Sequence, residues 1–202
     1  MTEDEAREWI RARFGVSRET QLATFVESLR DEAGKQNLVA PSTLDQIWSR
    51  HIVDSAQLLD HMPADGIFLD IGSGAGLPGL VVALLREAPV ELVEPRKLRT
   101  DFLSRAAAEL GLGNVTVHTD KIERTAGKVA VISARAVAQL SDLFRIAAHR
   151  STSSTVWVLP KGRNAQSEVE EARRKWHGSF HVEPSITASD SLIVVAKGVR
   201  PR

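Results

Sequence analysis

Phe68-Leu69-Asp70-Ile71-Gly72-Ser73-Gly74-Ala75-Gly76-Leu77-Pro78-Gly79 is the stretch from which the rest of the chain can be interpreted. An apolar run from Ile67 to Ile71 predicts a buried strand, and a helical pattern from Leu80 to Arg86 follows the glycines. Glycine lets a backbone approach a ligand closely, and the first turn of a helix offers free N–H groups. Strand, glycine loop and helix together therefore predict a site for a nucleotide-like ligand.

The spacing of the glycines narrows the choice of ligand. The dinucleotide fingerprint needs a third glycine where this chain has Leu77, and the Gly-Lys-Ser/Thr of a phosphate-binding loop is absent. What remains is Asp-x-Gly-x-Gly-x-Gly, in which the carboxylate of Asp70 suits a ligand with a cationic amino-acid end. This pattern resembles the first motif of class I S-adenosylmethionine-dependent methyltransferases. The alternative is a glycine-rich turn without a ligand, which would need fewer glycines and no acid.

Composition limits the remaining possibilities. The chain has 202 residues, a formal net charge of zero and no cysteine, which excludes disulfides, cysteine metal ligands and cysteine nucleophiles. No apolar run approaches the length of a membrane span. We expect one domain over residues 1–202, in which residues 1–63 form a helical extension and residues 64–202 form an α/β core.

The order of predicted elements indicates the fold class. Three helices precede the organising strand; a Thr2–Glu5 capping box opens the first, while Ser17 and Ser42 are expected to cap the others. Strands and helices then alternate, which predicts a mostly parallel sheet covered on both faces. The predicted strands are Ile67–Ile71, Val90–Glu94, Val115–His118, Val129–Ser133, Thr155–Leu159, Phe180–Val182 and Leu192–Ala196. The last two lack an intervening helix and predict an antiparallel edge.

Several polar residues follow predicted strands, at the sheet edge where ligands bind in open α/β folds. Glu94 ends the second strand and can accept both hydroxyls of a ribose, although a solvated glutamate is the simpler alternative. Ile122 and Glu123 follow the third strand, where they would bracket an adenine; a surface glutamate is about equally compatible. Arg135 ends the fourth strand, where it would grip a phosphate or a carboxylate, with a buried ion pair as the alternative.

Basic residues gather near the same edge despite the neutral total. Arg96, Lys97 and Arg99 follow the second strand, and Lys161 and Arg163 follow the fifth, so we expect them around the mouth of the site. A further set, Arg50, His51 and Asp54, lies on the third predicted helix. The sequence favours a solvated helix face for this set over a lid that touches substrate or cofactor.

Longer motifs make the resemblance specific. They are Asn37-Leu38, Arg50-His51-Ile52-Val53-Asp54-Ser55, residues 70–79, Glu94-Pro95 with Lys97, Arg99, Phe102 and Leu103, Ser133 with Arg135-Ala136, and Lys161-Gly162. Together they resemble the bacterial glucose-inhibited division protein B family, which are guanine-N7 methyltransferases of small-subunit ribosomal RNA. Two departures concern RNA contacts: Leu98 separates Lys97 from Arg99, and Ala134 stretches the family's Ser-Arg-Ala pattern.

The resemblance implies a class I methyltransferase Rossmann-like three-layer sandwich: a mostly parallel seven-stranded sheet with an antiparallel edge and N-terminal helices. It implies S-adenosyl-L-methionine as cofactor and a guanine in the decoding-region loop of 16S ribosomal RNA, within the 30S subunit, as target. A cytoplasmic monomer without a metal is expected. The cofactor-binding residues would be Asp70, Gly72, Gly74, Gly76, Leu77, Glu94, Ile122, Glu123 and Arg135. The RNA-binding candidates are Arg50, His51, Arg96, Lys97, Arg99, Lys161 and Arg163.

The chemistry of guanine N7 needs no general base, so no essential acid or base is expected, and Arg135 would orient the reactants. Two alternatives remain open. A small-molecule methyltransferase would share the cofactor site but would not need the basic rim. A ribosome-assembly binding protein would hold the cofactor without turnover.

Overall fold

The computed structural model describes all residues from Met1 to Arg202 and shows one seven-stranded sheet with helices on both faces. The helices are α1 (Glu3–Phe14), α2 (Val16–Ala33), α3 (Asp54–Ala56), α4 (Gly79–Leu85), α5 (Lys97–Glu109), α6 (Leu140–Ala147) and α7 (Ala165–Lys175). The strands are β1 (Phe68–Ile71), β2 (Val90–Val93), β3 (Val115–His118), β4 (Val131–Ala134), β5 (Val156–Lys161), β6 (Trp176–Pro184) and β7 (Leu192–Pro201). No helix is both long and apolar enough to cross a membrane.

The strand order β3-β2-β1-β4-β5-β7-β6 places β1 at the centre of the sheet. Strands β1 to β5 pair in parallel, whereas β7 pairs antiparallel with both β5 and β6. The chain therefore runs outward from β1 in one direction and then returns to build the other half. The order reverses between β1 and β4, and in open α/β sheets such a reversal leaves a crevice at the carboxyl ends of the strands.

Alternating side chains of the strands pack into two separate cores. Phe68 belongs to a cluster of 30 buried residues that includes side chains of α1, α2, α4 and α5. Leu69 and Ile71 belong to a second cluster of 20, with α6 and α7 on the other face. The N-terminal helices bury their apolar stripes in the core on this face, where α2 packs on α4 and α5 and α1 packs on α2, so they form an outer layer over the helices that cover the sheet. The division at residues 63 and 64 remains a prediction.

The capping box of α1 is confirmed, but two predicted caps are wrong. Thr2 accepts the N–H of Glu5, whose carboxylate accepts the N–H of Thr2. Ser17 lies inside α2, because Gly15 ends α1 and begins α2 without a spacer. The predicted third helix is a run of irregular helical turns from 41 to 61, which changes from 3₁₀ to π to α geometry and back to 3₁₀; Pro41 begins it, so Ser42 lies inside its first turn.

The last two strands are much longer than predicted. Strand β6 extends over Trp176–Pro184 and β7 over Leu192–Pro201, with a register shift between His177 and Ser179. Because many of their side chains face solvent, apolar periodicity detected only their central residues. The loop between them, which contains Ser185 and Thr187, reaches the irregular turns near Asp54.

Candidate active site

The glycine loop after β1 lies closely against the chain that follows β4. Gly72 and Gly74 have φ angles of +69° and +48°, a region that residues with a side chain adopt at a cost. A Cβ atom on Gly72 would lie 2.6 Å from Cγ2 of Val137. The N–H of Gly72 donates to the carbonyl of Val93 at 2.8 Å, which anchors the loop to the end of β2.

Asp70 supports the loop from beneath. Its side chain is buried, and Oδ2 accepts the N–H of Gly79 at 3.1 Å, while Oδ1 has no hydrogen-bond partner. Burial raises the pKa of this carboxyl to about 7, against the opposing effect of the Gly79 hydrogen bond. The structure therefore places Asp70 where it positions the loop, and it does not place the side chain on the wall of the cavity described next.

Glu94 closes the site at the end of β2. Oε2 accepts the N–H of Gly74 at 3.1 Å, and Oε1 accepts the N–H of Arg96 at 3.0 Å. The guanidinium of Arg99 approaches Oε2 at 3.7 Å. A carboxylate has about four acceptor positions, so each oxygen of Glu94 retains capacity for a ligand hydroxyl.

A cavity of about 400 Å³ lies between the glycine loop and these residues. It is lined by Leu38, Gly72, Ser73, Gly74, Ala75, Leu77, Glu94, Pro95, Arg96, Arg99, Arg135, Ala136 and Val137. The volume is in the range of small-molecule sites. A buried carboxylate for ribose hydroxyls, apolar walls for a base and the Arg135 guanidinium for a carboxylate together fit S-adenosylmethionine.

A second, larger cavity of about 590 Å³ adjoins the first, and the two share Arg135, Ala136 and Val137. Its lining residues are Thr43, Arg50, His51, Asp54, Arg135, Ala136, Val137, Ala138, Gln139, Pro160, Lys161, Gly162, Glu168, Thr187, Ser191 and Leu192. The prediction of a solvated face agrees with the exposed Arg50 but not with His51 and Asp54, which are partly buried because the irregular turns carry them over the sheet edge. The site thus has two compartments with a common wall.

Arg135 connects the two compartments through a chain of hydrogen bonds. Its Nη1 lies 3.0 Å from Nδ1 of His51, and Nε2 of His51 lies 2.8 Å from Oγ1 of Thr43. Because a guanidinium only donates, Nδ1 must accept and Nε2 carries the proton. Burial and the neighbouring charges of Arg135 and Arg50 lower the pKa of His51 to about 3. The imidazole is thus neutral, and both of its nitrogens are engaged.

The structure brings together only some of the residues predicted for the cofactor. Gly72, Gly74, Leu77, Glu94 and Arg135 line the smaller cavity, whereas Asp70, Gly76, Ile122 and Glu123 do not. A Cβ on Gly76 would meet Leu80, so this glycine permits packing of the loop on α4. Ile122 is buried in the core on the α6 face, and Glu123 is exposed. Contact of these last two with an adenine stays a prediction.

The basic residues predicted to bind RNA differ in their exposure and in their partners. Arg96, Lys97 and Arg163 are exposed, and Arg50 is exposed at the larger cavity. Lys161 is not a free cation: its Nζ contacts Oε2 of Glu168 and the carbonyl of Ala138, at 2.8 and 2.7 Å. The sequence predicts Lys161 in the loop after the fifth strand, but it is the last residue of β5 and its ammonium is bound within the fold.

Sequence reasoning missed several residues of the larger cavity, chiefly Thr43, Gln139, Glu168 and Thr187. None belongs to a motif of recognisable spacing, and Thr187 is contributed by the loop between β6 and β7. Asp54 also lines this cavity, although the sequence predicts a solvated position for it. Its partners in that loop are 131 and 133 residues away, so no local pattern connects them.

The parallel sheet with an antiparallel edge and the glycine-lined cavity define a class I S-adenosylmethionine-dependent methyltransferase. A SAM dependent methyltransferase from Aquifex aeolicus has the same fold, with a TM-score of 0.62 at 12% identity over 86% of this chain and 98% of that one. A ribosomal protein L11 methylase from Lactobacillus delbrueckii subsp. bulgaricus gives a TM-score of 0.58 at 15% identity, over 73% and 77% of the two chains.

Sequence comparison identifies the family within this class. The model of the GidB family, rRNA small subunit methyltransferase G, matches residues 18–192, and the chain belongs to this family. A ribosomal RNA small subunit methyltransferase G from Erythrobacter litoralis is 45% identical, over 98% of this chain and 97% of its own length. Another from Sphingopyxis alaskensis is 49% identical, over 96% and 85%. The predicted fold, cofactor and family are thereby confirmed.

Proposed function

We propose that this chain transfers a methyl group from S-adenosylmethionine to N7 of a guanine in the decoding-region loop of 16S ribosomal RNA. The names of its relatives point to small-subunit ribosomal RNA as the substrate class. The observation that carries the proposal is the pair of adjoining cavities, which share the Arg135–Val137 wall. The smaller matches a cofactor, and the larger has room for a nucleobase beside it.

The chemistry at N7 matches what the side chains offer. Guanine N7 is a hydrogen-bond acceptor with an available lone pair, so it can be alkylated without first losing a proton. S-adenosylmethionine, when bound, supplies an electrophilic methyl group on a sulfonium. His51 is neutral and has no free ring nitrogen, which suits a reaction that needs no imidazole base. Orientation within such a site can contribute about 7–11 kcal/mol, and we assign that role to the wall containing Arg135.

For the cofactor we propose direct binding by Gly72, Gly74, Leu77, Glu94 and Arg135, while Asp70 and Gly76 shape the loop. Glu94→Gln should weaken S-adenosylmethionine binding by about tenfold or more, because charge-assisted hydrogen bonds to the ribose would be lost. Calorimetric titration measures this directly. Glu170→Gln is the matched control: the exposed Glu170 lies on α7, outside the cavity, and we expect less than a twofold change. An equal loss at both positions, or no loss at Glu94, would contradict the assignment.

For RNA we propose contacts from Arg50, Arg96, Lys97, Arg99 and Arg163 to phosphates around the two cavities. Arg99 is half-buried beside Glu94 and would act nearest to the cofactor. His51 would act indirectly, by fixing Arg135. We further propose that the chain works as a monomer on the 30S subunit in the cytoplasm, as one folded unit.

The deciding experiment is methyl transfer from labelled S-adenosylmethionine to unmodified 30S particles and to naked 16S RNA. The modified base is mapped by N7-specific chain cleavage, and a reverse-transcription stop detects modification on the base-pairing edge. Label at one guanine of the decoding-region loop, sensitive to N7 cleavage, supports substrate, atom and cofactor together. Cofactor binding without label on either RNA would refute the substrate and favour a small-molecule methyltransferase or a binding protein.

A further inference from the structure

The side chain of Asp54 is fixed by several hydrogen bonds at the wall of the larger cavity. Its Oδ1 accepts three hydrogen bonds, from Nε2 of Gln57 at 3.0 Å, from Oγ of Ser185 at 3.2 Å and from Oγ1 of Thr187 at 3.0 Å. Gln57 is itself fixed, because its Oε1 accepts the N–H of Ile186 at 3.0 Å. The carboxylate is therefore clamped between the irregular turns and the β6–β7 loop before any substrate arrives.

The second oxygen of this carboxylate is free. Oδ2 accepts no hydrogen bond from the chain and is not among the buried unpartnered atoms, so it is accessible at the cavity that Asp54 lines. Other carboxylates of the site are engaged differently: Glu168 forms an ion pair with Lys161, and Glu94 lines the cofactor cavity. A fixed hydrogen-bond acceptor that faces a space large enough for a nucleobase can recognise a base by its hydrogen-bond donors.

We infer that Asp54 is the specificity-determining residue for the target base, and that Oδ2 accepts the N1–H and N2–H donors of a guanine. The inference rests on the proposed function and deepens it. A single carboxylate oxygen can accept two hydrogen bonds, and among the four RNA bases only guanine carries two adjacent donors on its base-pairing edge.

The geometry of the purine then orients the reacting atom. N7 lies on the edge of guanine opposite N1 and N2, so a base anchored at Asp54 turns N7 away from that carboxylate. The two cavities share Arg135, Ala136 and Val137, whereas Asp54 lines only the larger one. An anchored guanine would thus direct N7 toward the shared wall and the cofactor. An adenine would place its N1 lone pair against Oδ2 and be repelled.

Asp54→Asn is the informative variant because it preserves the clamp. The amide oxygen can still accept from Gln57, Ser185 and Thr187, while the amide nitrogen replaces Oδ2 and offers donors where guanine also offers donors. Asp45→Asn is the matched control: Asp45 is exposed, its side chain forms no hydrogen bond, and it lines a different cavity, near Glu3 and Arg7.

The test compares guanosine with inosine, which lacks the N2 amino group but keeps N1–H and N7. Reconstituted 30S particles carry one or the other at the mapped position, and kcat/KM for methyl transfer is measured. The wild type and Asp45→Asn should prefer guanosine by about tenfold or more, the size of one charge-assisted hydrogen bond. Asp54→Asn should lose about 100-fold on guanosine and distinguish the two bases by less than twofold.

A second readout separates the two proposals. Chemical-shift titrations with guanosine and inosine 5′-monophosphates, with S-adenosylhomocysteine present, measure base preference without turnover. If the wild type methylates no ribosomal RNA yet prefers the guanosine nucleotide through Asp54, the proposed function fails and the base site stands. Equal kcat/KM for guanosine and inosine in the wild type, or unchanged discrimination in Asp54→Asn, overturns the role of Asp54 even if methylation at N7 is confirmed. Absence of both methyl transfer and nucleotide preference overturns both.

Discussion

Replacing Asp70 and His51 by asparagine, one at a time, should change the pH dependence of stability in opposite directions. The pKa of Asp70 rises from 3.8 to about 7 in the folded chain, chiefly by burial, with Glu94 adding to the shift and Arg135 opposing it. The pKa of His51 falls from 6.5 to about 3, through burial and the charges of Arg135 and Arg50. Each group therefore makes the folded and unfolded chains bind different numbers of protons.

The signs follow from linkage between proton binding and folding. Between pH 4 and 7 the folded chain keeps a proton on Asp70 that the unfolded chain has lost, so the free energy of unfolding falls as pH rises. Between pH 3 and 6.5 the unfolded chain holds a proton on His51 that the folded chain lacks, so the free energy of unfolding rises with pH. Each slope is about 1.4 kcal/mol per pH unit, and in the wild type the two oppose each other over most of this range.

Each substitution removes one of the two slopes. From pH 4.5 to 6.0, Asp70→Asn should gain about 2 kcal/mol of unfolding free energy relative to the wild type, and His51→Asn should lose about 2 kcal/mol. Urea unfolding at four pH values measures these differences, and other groups cancel in the comparison. The exposed Asp142→Asn serves as the control and should run parallel to the wild type. Parallel curves for Asp70→Asn or His51→Asn would refute the reasoning.

Three further perturbations test the fold and the site. Gly72→Ala should weaken cofactor binding by about tenfold or more in calorimetry, because the loop has neither the φ angle nor the space for a Cβ; Gly113→Ala, which meets nothing within 4 Å, should change it less than twofold. Arg150→Met should lower the free energy of unfolding in urea by about 3–5 kcal/mol, because it leaves the Glu91 carboxylate without its buried partner. The exposed Arg145→Met should lower it by about 0.5 kcal/mol or less, and equal losses for the two variants would contradict this reasoning. Arg163→Ala should lower RNA affinity and reduce by about one the slope of the logarithm of the binding constant against the logarithm of salt concentration. An unchanged slope would show that this residue does not contact RNA phosphates.

The central part of the fold follows from local chemistry. The apolar strand β1, its glycine loop and the pattern of strands and helices after it are encoded within a few residues of one another, and they predicted the sheet and the place of Glu94. Contacts over long distances in sequence were not predictable in this way. Asp54 was assigned to solvent because its hydroxyl partners, Ser185 and Thr187, belong to a loop at the other end of the chain.

Other differences have local causes. Lys161 had the position of an RNA contact, yet Glu168, in the first turn of α7, forms an ion pair with its ammonium. Serine is a common N-cap residue, but Ser17 lies inside α2 because only Gly15 separates α1 from α2. Such outcomes depend on which groups the fold brings close together, and a short window of sequence does not contain that information.

The clamp on Asp54 has a consequence for how the enzyme matures during synthesis. All residues that line the cofactor cavity lie between Leu38 and Val137, so they are synthesised before the last two strands. Ser185 and Thr187 are translated nearly last, and until they emerge Oδ1 of Asp54 lacks two of its three donors. The chain therefore contains every wall residue of the cofactor cavity before it contains two of the donors that fix Asp54. If Asp54 selects the base, that selection requires the loop between the last two strands to be made.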